Sequence, residues 1–228
     1  MKNKKNQKKI KAVIFDIGGV LALEKKPKRL FAKVHEFGVH EFMIDKLKVP
    51  LDTYFDALDT NYAYAIEGLI SEKRIVPVIA KNLNTTPRKL RKLFKKAYKL
   101  YFKQNKELYK FAFKLKKQGY KIAILSDQWY LSSPVLIPKK YRKRFNVVVI
   151  SCEVGIRKPN PEIYKLTLKK LKVKPAEAVF IDNRKWNTLP AKKLGINAIL
   201  FKNNNKIFRQ LKKLGVKVNE YAGILKEN

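Results

Sequence analysis

Apolar residues in this chain gather into five short runs, several of them closed by small or polar residues. Residues 11–17 (KAVIFDI) stop at Gly18-Gly19, 121–125 (KIAIL) at Ser126-Asp127, and 178–181 (AVFI) at Asp182. Residues 146–150 (NVVVI) and 197–201 (NAILF) complete the set. Runs of this length and density predict buried strands, the first ending in a tight glycine turn. Helical periodicity separates the later runs, over residues 105–117, 161–171 and 188–194. Strands alternating with helices predict an α/β protein whose parallel sheet is covered on both faces. Ligands of such a sheet bind at the carboxyl edge of the strands. Polar residues cluster there, just after the first, second and fourth runs.

Residues 24–103 interrupt this alternation with no strand pattern, and they predict helices. One helix starts at Thr86-Pro87, a capping residue followed by a proline suited to the first helical position. Leu90, Leu93, Phe94, Ala97, Tyr98 and Tyr101 then keep helical spacing and form an apolar stripe. The opposite face carries Arg88, Lys89, Arg91, Lys92, Lys95, Lys96, Lys99 and Lys103 without an acid among them. Like charges four apart cost a few tenths of a kcal/mol per pair, which an anionic partner would offset and solvent would only screen. The expected organisation is a basic flexible tail at 1–10, a core from 11–23 and 104–215, the helical insertion at 24–103 and a C-terminal tail at 216–228.

Composition sets outer bounds. The 228 residues allow one main core and a second, smaller domain. Hydrophobic content of 46% with 11% aromatics excludes a disordered chain. A single cysteine, Cys152, excludes an internal disulfide framework and suits a reducing compartment. No apolar run nears the roughly 18 residues of a membrane span, and no signal-type apolar region precedes Val13. A cytoplasmic protein, monomer or homodimer, is expected. Fifty-three Lys and Arg against eighteen Asp and Glu give a net charge of +35. That field concentrates anions, whether phosphorylated metabolites, RNA or DNA. The tail and the basic helix face are where a weak nucleic-acid contact is expected; the competing expectation is lysine spread over solvated faces.

Candidate chemistry sits at the strand ends: Asp16, Ser126, Asp182-Asn183, and Lys158 just before a helix. A carboxylate can attack phosphorus and form an acyl phosphate, splitting one hard step into two. Two anions repel, so a divalent cation held by oxygen ligands must bridge them. Asp16, Asp182, Asn183 and the Gly18 carbonyl supply such oxygens. Ser126 can donate to a phosphate oxygen, and Lys158 adds a point charge where the transferring group needs it. In 155–164 (GIRKPNPEIY), Pro159 keeps Lys158 out of helical conformation, Asn160 caps, Pro161 opens a helix and Glu162 suits its dipole.

These segments, in this order, resemble the motifs of the haloacid dehalogenase superfamily. Residues 13–21 (VIFDIGGVL) are similar to its first motif, with Asp16 at the nucleophile position. Residues 124–127 (ILSD) resemble the second, with Ser126 as phosphate ligand. GIRKPNPEIY resembles the third, with Lys158 at the lysine position. Residues 180–187 (FIDNRKWN) followed by 191–195 (AKKLG) resemble the fourth, with Asp182 and Asn183 at the metal position. The resemblance spans about residues 11–201. It implies a Rossmann-like three-layer core with a five-stranded parallel sheet and an inserted helical cap that selects substrate. Residues 67–72 (EGLISE) resemble a stretch common in such caps. It implies a Mg²⁺-dependent phosphohydrolase of a small phosphorylated metabolite, with Gly18, Gly19, Ser126, Asp127 and Lys158 around the substrate.

Three positions depart from the family pattern. Gly18 stands where phosphatases of the family usually carry a second aspartate for general acid–base work, which is typically worth 10²–10⁴-fold. A slow enzyme, or one limited to good leaving groups, follows. Asn183 replaces a second acid and ligates a cation without charge. Asp127 stands where asparagine is frequent and is an anion beside the phosphate, or a substitute acid. Two other functions stay open: a phosphate- or nucleic-acid-binding member without turnover, and a metal-independent dehalogenase, for which Arg29 is the nearby arginine. His35 and His40 are expected at the surface, Cys152 as inert core, and Trp129 and Trp186 in core packing.

Overall fold

The computed structural model describes residues 9–25 and 38–217. Strand β1 (Ala12–Phe15) leads through a glycine turn into the short β2 (Ala22–Glu24). Four helices follow: α1 (Val39–Leu47), α2 (Leu51–Glu67), α3 (Glu72–Asn82) and α4 (Pro87–Tyr101). The chain then returns through β3 (Phe102–Gln104) to α5 (Lys106–Lys117) and β4 (Lys121–Ser126). Two single-turn helices, α6 (Ser133–Leu136) and α7 (Lys139–Arg142), precede β5 (Val147–Ile150) and α8 (Ser151–Val154). After α9 (Pro161–Leu171) come β6 (Ala178–Asp182), α10 (Lys185–Lys193), β7 (Asn197–Leu200) and α11 (Asn204–Lys213).

The main sheet is wholly parallel, in the order β5-β4-β1-β6-β7, so the five apolar runs are its five strands. Alternate residues of each strand feed two separate cores. Val13, Phe15, Ile122, Ile124, Val179 and Ile181 face one side, where α5 and α11 contribute Leu108, Phe111, Phe208 and Leu211. Ala12, Ile14, Ala123, Leu125, Ala178 and Phe180 face the other, against Ile163, Tyr164 and Leu168 of α9 and Ala191 of α10. Burial on both faces is why these strands read as unbroken apolar runs. The three layers of a Rossmann-like core result.

Capping fixes the helix starts. Thr86 accepts from the Lys89 N–H at 3.2 Å, with Pro87 in the first turn. Asn105 caps α5 through the Leu108 N–H, and Asn160 caps α9 through the Glu162 N–H. Such caps are each worth about 1 kcal/mol. Leu90, Phe94, Ala97 and Tyr98 of the α4 stripe are buried, while Leu93 and Tyr101 are half-buried at its rim. Each fully buried Leu or Phe contributes roughly 1.5–3 kcal/mol relative to exposure. On the basic face of α4, Arg91 meets an acid from elsewhere: its Nε lies 2.9 Å from Glu72 of α3.

Two strands absent from the hydrophobic pattern tie the helical insertion to the core. β2 and β3 pair antiparallel, Ala22 opposite Gln104 and Glu24 opposite Phe102. The Asn105 side chain donates to the Val20 carbonyl, and its N–H donates to the Leu21 carbonyl. The far end of the insertion also docks. Gly68 ends α2 at φ +71°, and a β-carbon there would run into the backbone of Cys152 in α8. The core reaches past both expected boundaries: Ile10 and Val216 are buried, and the Lys217 N–H donates to the Tyr120 hydroxyl. Among the described residues no helix is long and apolar enough to cross a membrane.

Candidate active site

Parallel strands β1, β4 and β6 are neighbours in register, so their carboxyl ends bring Asp16, Ser126 and Asp182 to one edge of the sheet. All three are buried. Lys158 arrives from the turn before α9 and is buried as well. Its Nζ lies 2.9 Å from Asp16 Oδ1 and 2.6 Å from Asp182 Oδ2. One ammonium therefore bridges two carboxylates that would otherwise repel.

The charges follow from this arrangement. Burial pushes the Asp16 carboxyl up to about 6, with Lys158 pulling it down and the Asp182 charge adding to the rise. Burial pulls the Lys158 ammonium down, but Asp16, Asp182 and Asp127 together outweigh it and leave its pKa above the ordinary lysine value. Lys158 is thus a permanent cation at the floor of the site.

The carboxylate of Asp182 is saturated by protein donors. Besides Lys158, it accepts from the Arg184 N–H at 2.7 Å and from Asn187 Nδ2 at 3.2 and 3.0 Å. These contacts hold the lysine and the loop in place. Asn183 points its amide toward the nucleophile loop; a β-carbon on Gly19, at φ +75°, would collide with that amide. Gly19 therefore lets the two loops close on one another. Asn183, Asp16 and Gly18 line one cavity. Their amide, carboxylate and carbonyl oxygens are hard donors that fit Mg²⁺ in type, with Asp16 as the charged member. Among the described residues no group of three His, Cys, Asp or Glu side chains could hold a metal ion, here or elsewhere, so a cation at this site would depend on the amide and carbonyl oxygens as well.

Asp127 has a local partner. Its Oδ1 accepts from the backbone N–H of Lys158 at 3.1 Å, which ties the lysine turn to the end of β4. Burial raises its pKa, and Lys158 opposes the rise.

Several residues around the site were not singled out by their sequence. Gln128 donates from Nε2 to Ser126 Oγ at 3.2 Å and accepts from Ser132 Oγ at 2.7 Å. The same Nε2 is the nearest atom, 3.9 Å away, to where a Gly18 side chain would begin. An amide thus faces the position of the missing second acid. Tyr62 of α2 enters the cavity from the helical insertion and packs edge-on against Trp129. Nothing in residue spacing marks these residues: the Gln128 bonds are local but depend on the turn after β4, and Tyr62 meets Trp129 across distant segments. Trp129 is core, as expected: it is fully buried, and its Nε1 donates to the Tyr98 hydroxyl at 2.9 Å. Trp186 is not. It is 58% exposed on the first turn of α10 and lines the cavity. Cys152 is buried, and burial pushes its thiol up to about 11. His40 is exposed, its Nδ1 3.1 Å from the Tyr54 hydroxyl; His35 and Arg29 lie outside the described residues.

The cavity over this floor measures about 1000 Å³ and is roofed by residues of the insertion, among them Val39, Tyr62, Ile66 and Tyr98. Against known proteins, residues 10–195 match the model of the haloacid dehalogenase-like hydrolases. The chain belongs to the haloacid dehalogenase-like hydrolase family. Within it, 77 residues are 43% identical to mouse Acyl-CoA dehydrogenase family member 10, covering 34% of this chain and 7% of that protein. A stretch of 79 residues is 34% identical to a glyceraldehyde 3-phosphate phosphatase of Pyrococcus furiosus, covering 34% of this chain and 31% of that one. The chain thus spans less than a third of the length of either relative. A HAD family enzyme of Bacteroides thetaiotaomicron, solved with magnesium and inorganic phosphate, superposes with a TM-score of 0.69 at 19% identity. That match covers 88% of this chain and all of the other. At that identity the likeness shows the fold.

Proposed function

We propose that this member of the family is a Mg²⁺-dependent phosphohydrolase of a small phosphorylated metabolite, working through an aspartyl-phosphate at Asp16. The observation that carries the proposal is the buried Asp16–Lys158–Asp182 bridge at the cavity floor, with Ser126 beside it. A carboxylate so placed can attack phosphorus, while the Lys158 ammonium and the Ser126 hydroxyl and N–H meet the charge that builds on the phosphoryl oxygens. Asp16, the Gly18 carbonyl and Asn183 are the groups that would hold the cation, with Asp182 behind them steadying Lys158. The cation supplies charge neutralisation between nucleophile and phosphate. Asp182 and Asp127 keep Lys158 in place, and Gln128 orients Ser126.

No carboxyl stands at Gly18 to protonate the leaving oxygen, and the Gln128 amide beside it can hydrogen-bond but cannot titrate. Esters with good leaving groups are therefore favoured, and release of the phosphoryl group from Asp16 is slow. A screen of phosphomonoesters with added Mg²⁺, run beside Asp16→Asn, tests the proposal. Turnover that a chelator abolishes and the variant lacks supports it; equal turnover in the variant contradicts it.

A further inference from the structure

Trp186 lies open to solvent on the first turn of α10, inside the cavity that Asp16 and Lys158 floor. The guanidinium of Arg184 sits over its ring, the central carbon 5.0 Å from the ring centroid. The loop that carries both is held rigidly, since the Arg184 N–H donates to Asp182 and Asn187 grips the same carboxylate. A guanidinium stacked on an indole has its fork of N–H groups pre-oriented, with less freedom left to lose when an anion binds.

Charge pairing separates Arg184 from Lys158 and Arg157, and its stacking on Trp186 separates it from Lys25, which also has no carboxylate partner among the described residues. Lys158 is committed to Asp16 and Asp182. Arg157 lies 2.7 Å from Glu67 of the insertion, and Lys25 donates to the Lys99 carbonyl at 3.0 Å. Among the described residues Arg184 has no carboxylate partner, only the Trp186 face. The reacting phosphoryl group already has its cation in Lys158. A second cation, fixed and unneutralised on the same cavity wall, calls for a second anion.

We infer that the substrate carries, besides the reacting phosphate, a second anionic group, a carboxylate or another phosphate, which Arg184 holds against Trp186. The inference rests on the Asp16 site being the seat of a phosphoryl group. It makes Arg184 a specificity-determining residue and Trp186 its support.

Matched probes test it at fixed, near-physiological salt: 3-phosphoglycerate against glycerol 3-phosphate for a carboxylate, fructose 1,6-bisphosphate against fructose 6-phosphate for a phosphate. The readout is the ratio of kcat/KM within each pair, together with the ratio of calorimetric Kd values in the Asp16→Asn background. At least one pair should favour the second anion by about tenfold or more, for a charge-assisted contact of about 1.5–3 kcal/mol. Arg184→Met should bring that ratio to near one, Trp186→Ala should lower it part-way, and Trp186→Phe should restore it. Lys92→Gln, an exposed charge on α4, controls for the general field and should leave the ratio as it was. Melting curves confirm that each variant folds. Ratios near one in the native protein, or a preference that survives Arg184→Met, overturn the inference. An Arg184-dependent preference in binding without hydrolysis of any ester keeps this inference and sinks the hydrolase proposal; hydrolysis without such a preference does the reverse.

Discussion

Asp127 lines the cavity and also holds the lysine turn. Its Oδ1 receives the Lys158 N–H, which needs an acceptor there and no acid. Asparagine offers the same oxygen. Asp127→Asn should therefore keep turnover within about threefold, whereas Asp127→Ala, losing a hydrogen bond that holds the lysine turn, should lower it about tenfold or more. Steady-state kinetics decide it, and a collapse in the asparagine variant would give Asp127 a proton-transfer role. Asp16, Ser126 and Asp182 were legible because each lies at the carboxyl end of an apolar run, and parallel register brings such positions to one edge. Gln128, Arg184 and Asn187 were not: their partners lie only two to five residues away, but the turns that fold them back onto Ser126 and Asp182 leave no mark in residue spacing. Trp186 misled for a related reason: an aromatic beside a buried strand is usually core, and only the turn into α10 faces it outward.

At the scale of elements, legibility followed burial. The central strands stood out because both of their faces are covered. β2 and β3 are three residues each and half open, too short for any period to show. Helix α10 starts three residues ahead of its apolar pattern, since Lys185 and Trp186 in its first turn do not face the core. Those inconspicuous strands and the end of α2 join the insertion to the core. At that joint Gly68 is irreplaceable on two counts, its left-handed φ and the Cys152 backbone against it. Gly68→Ala should cost about 1–3 kcal/mol of stability, strain of this kind being worth that much per residue. Denaturant unfolding measures it, and a variant as stable as the parent would mean that α2 does not press on α8.

Over the whole molecule, a charge of +35 surrounds a cavity at whose floor one ammonium bridges two carboxylates. Such a field raises the encounter rate of anionic substrates and is screened by salt. kcat/KM for a phosphomonoester should fall severalfold as ionic strength rises from about 0.05 to about 0.5 M, with kcat changing less. A flat profile would mean that the lysines are spread too evenly to steer. The same molecule lacks a titratable group at Gly18, so with a good leaving group phosphoryl release, and not its capture, should limit turnover. That leaves the covalent species on the protein long enough to be caught. Acid quenching during turnover of an activated phosphomonoester, followed by peptide mass spectrometry, should find the phosphoryl group on Asp16 alone and absent from Asp16→Asn. Turnover with no phosphorylated peptide, or with the group on another residue, would contradict the assignment of Asp16 as the nucleophile.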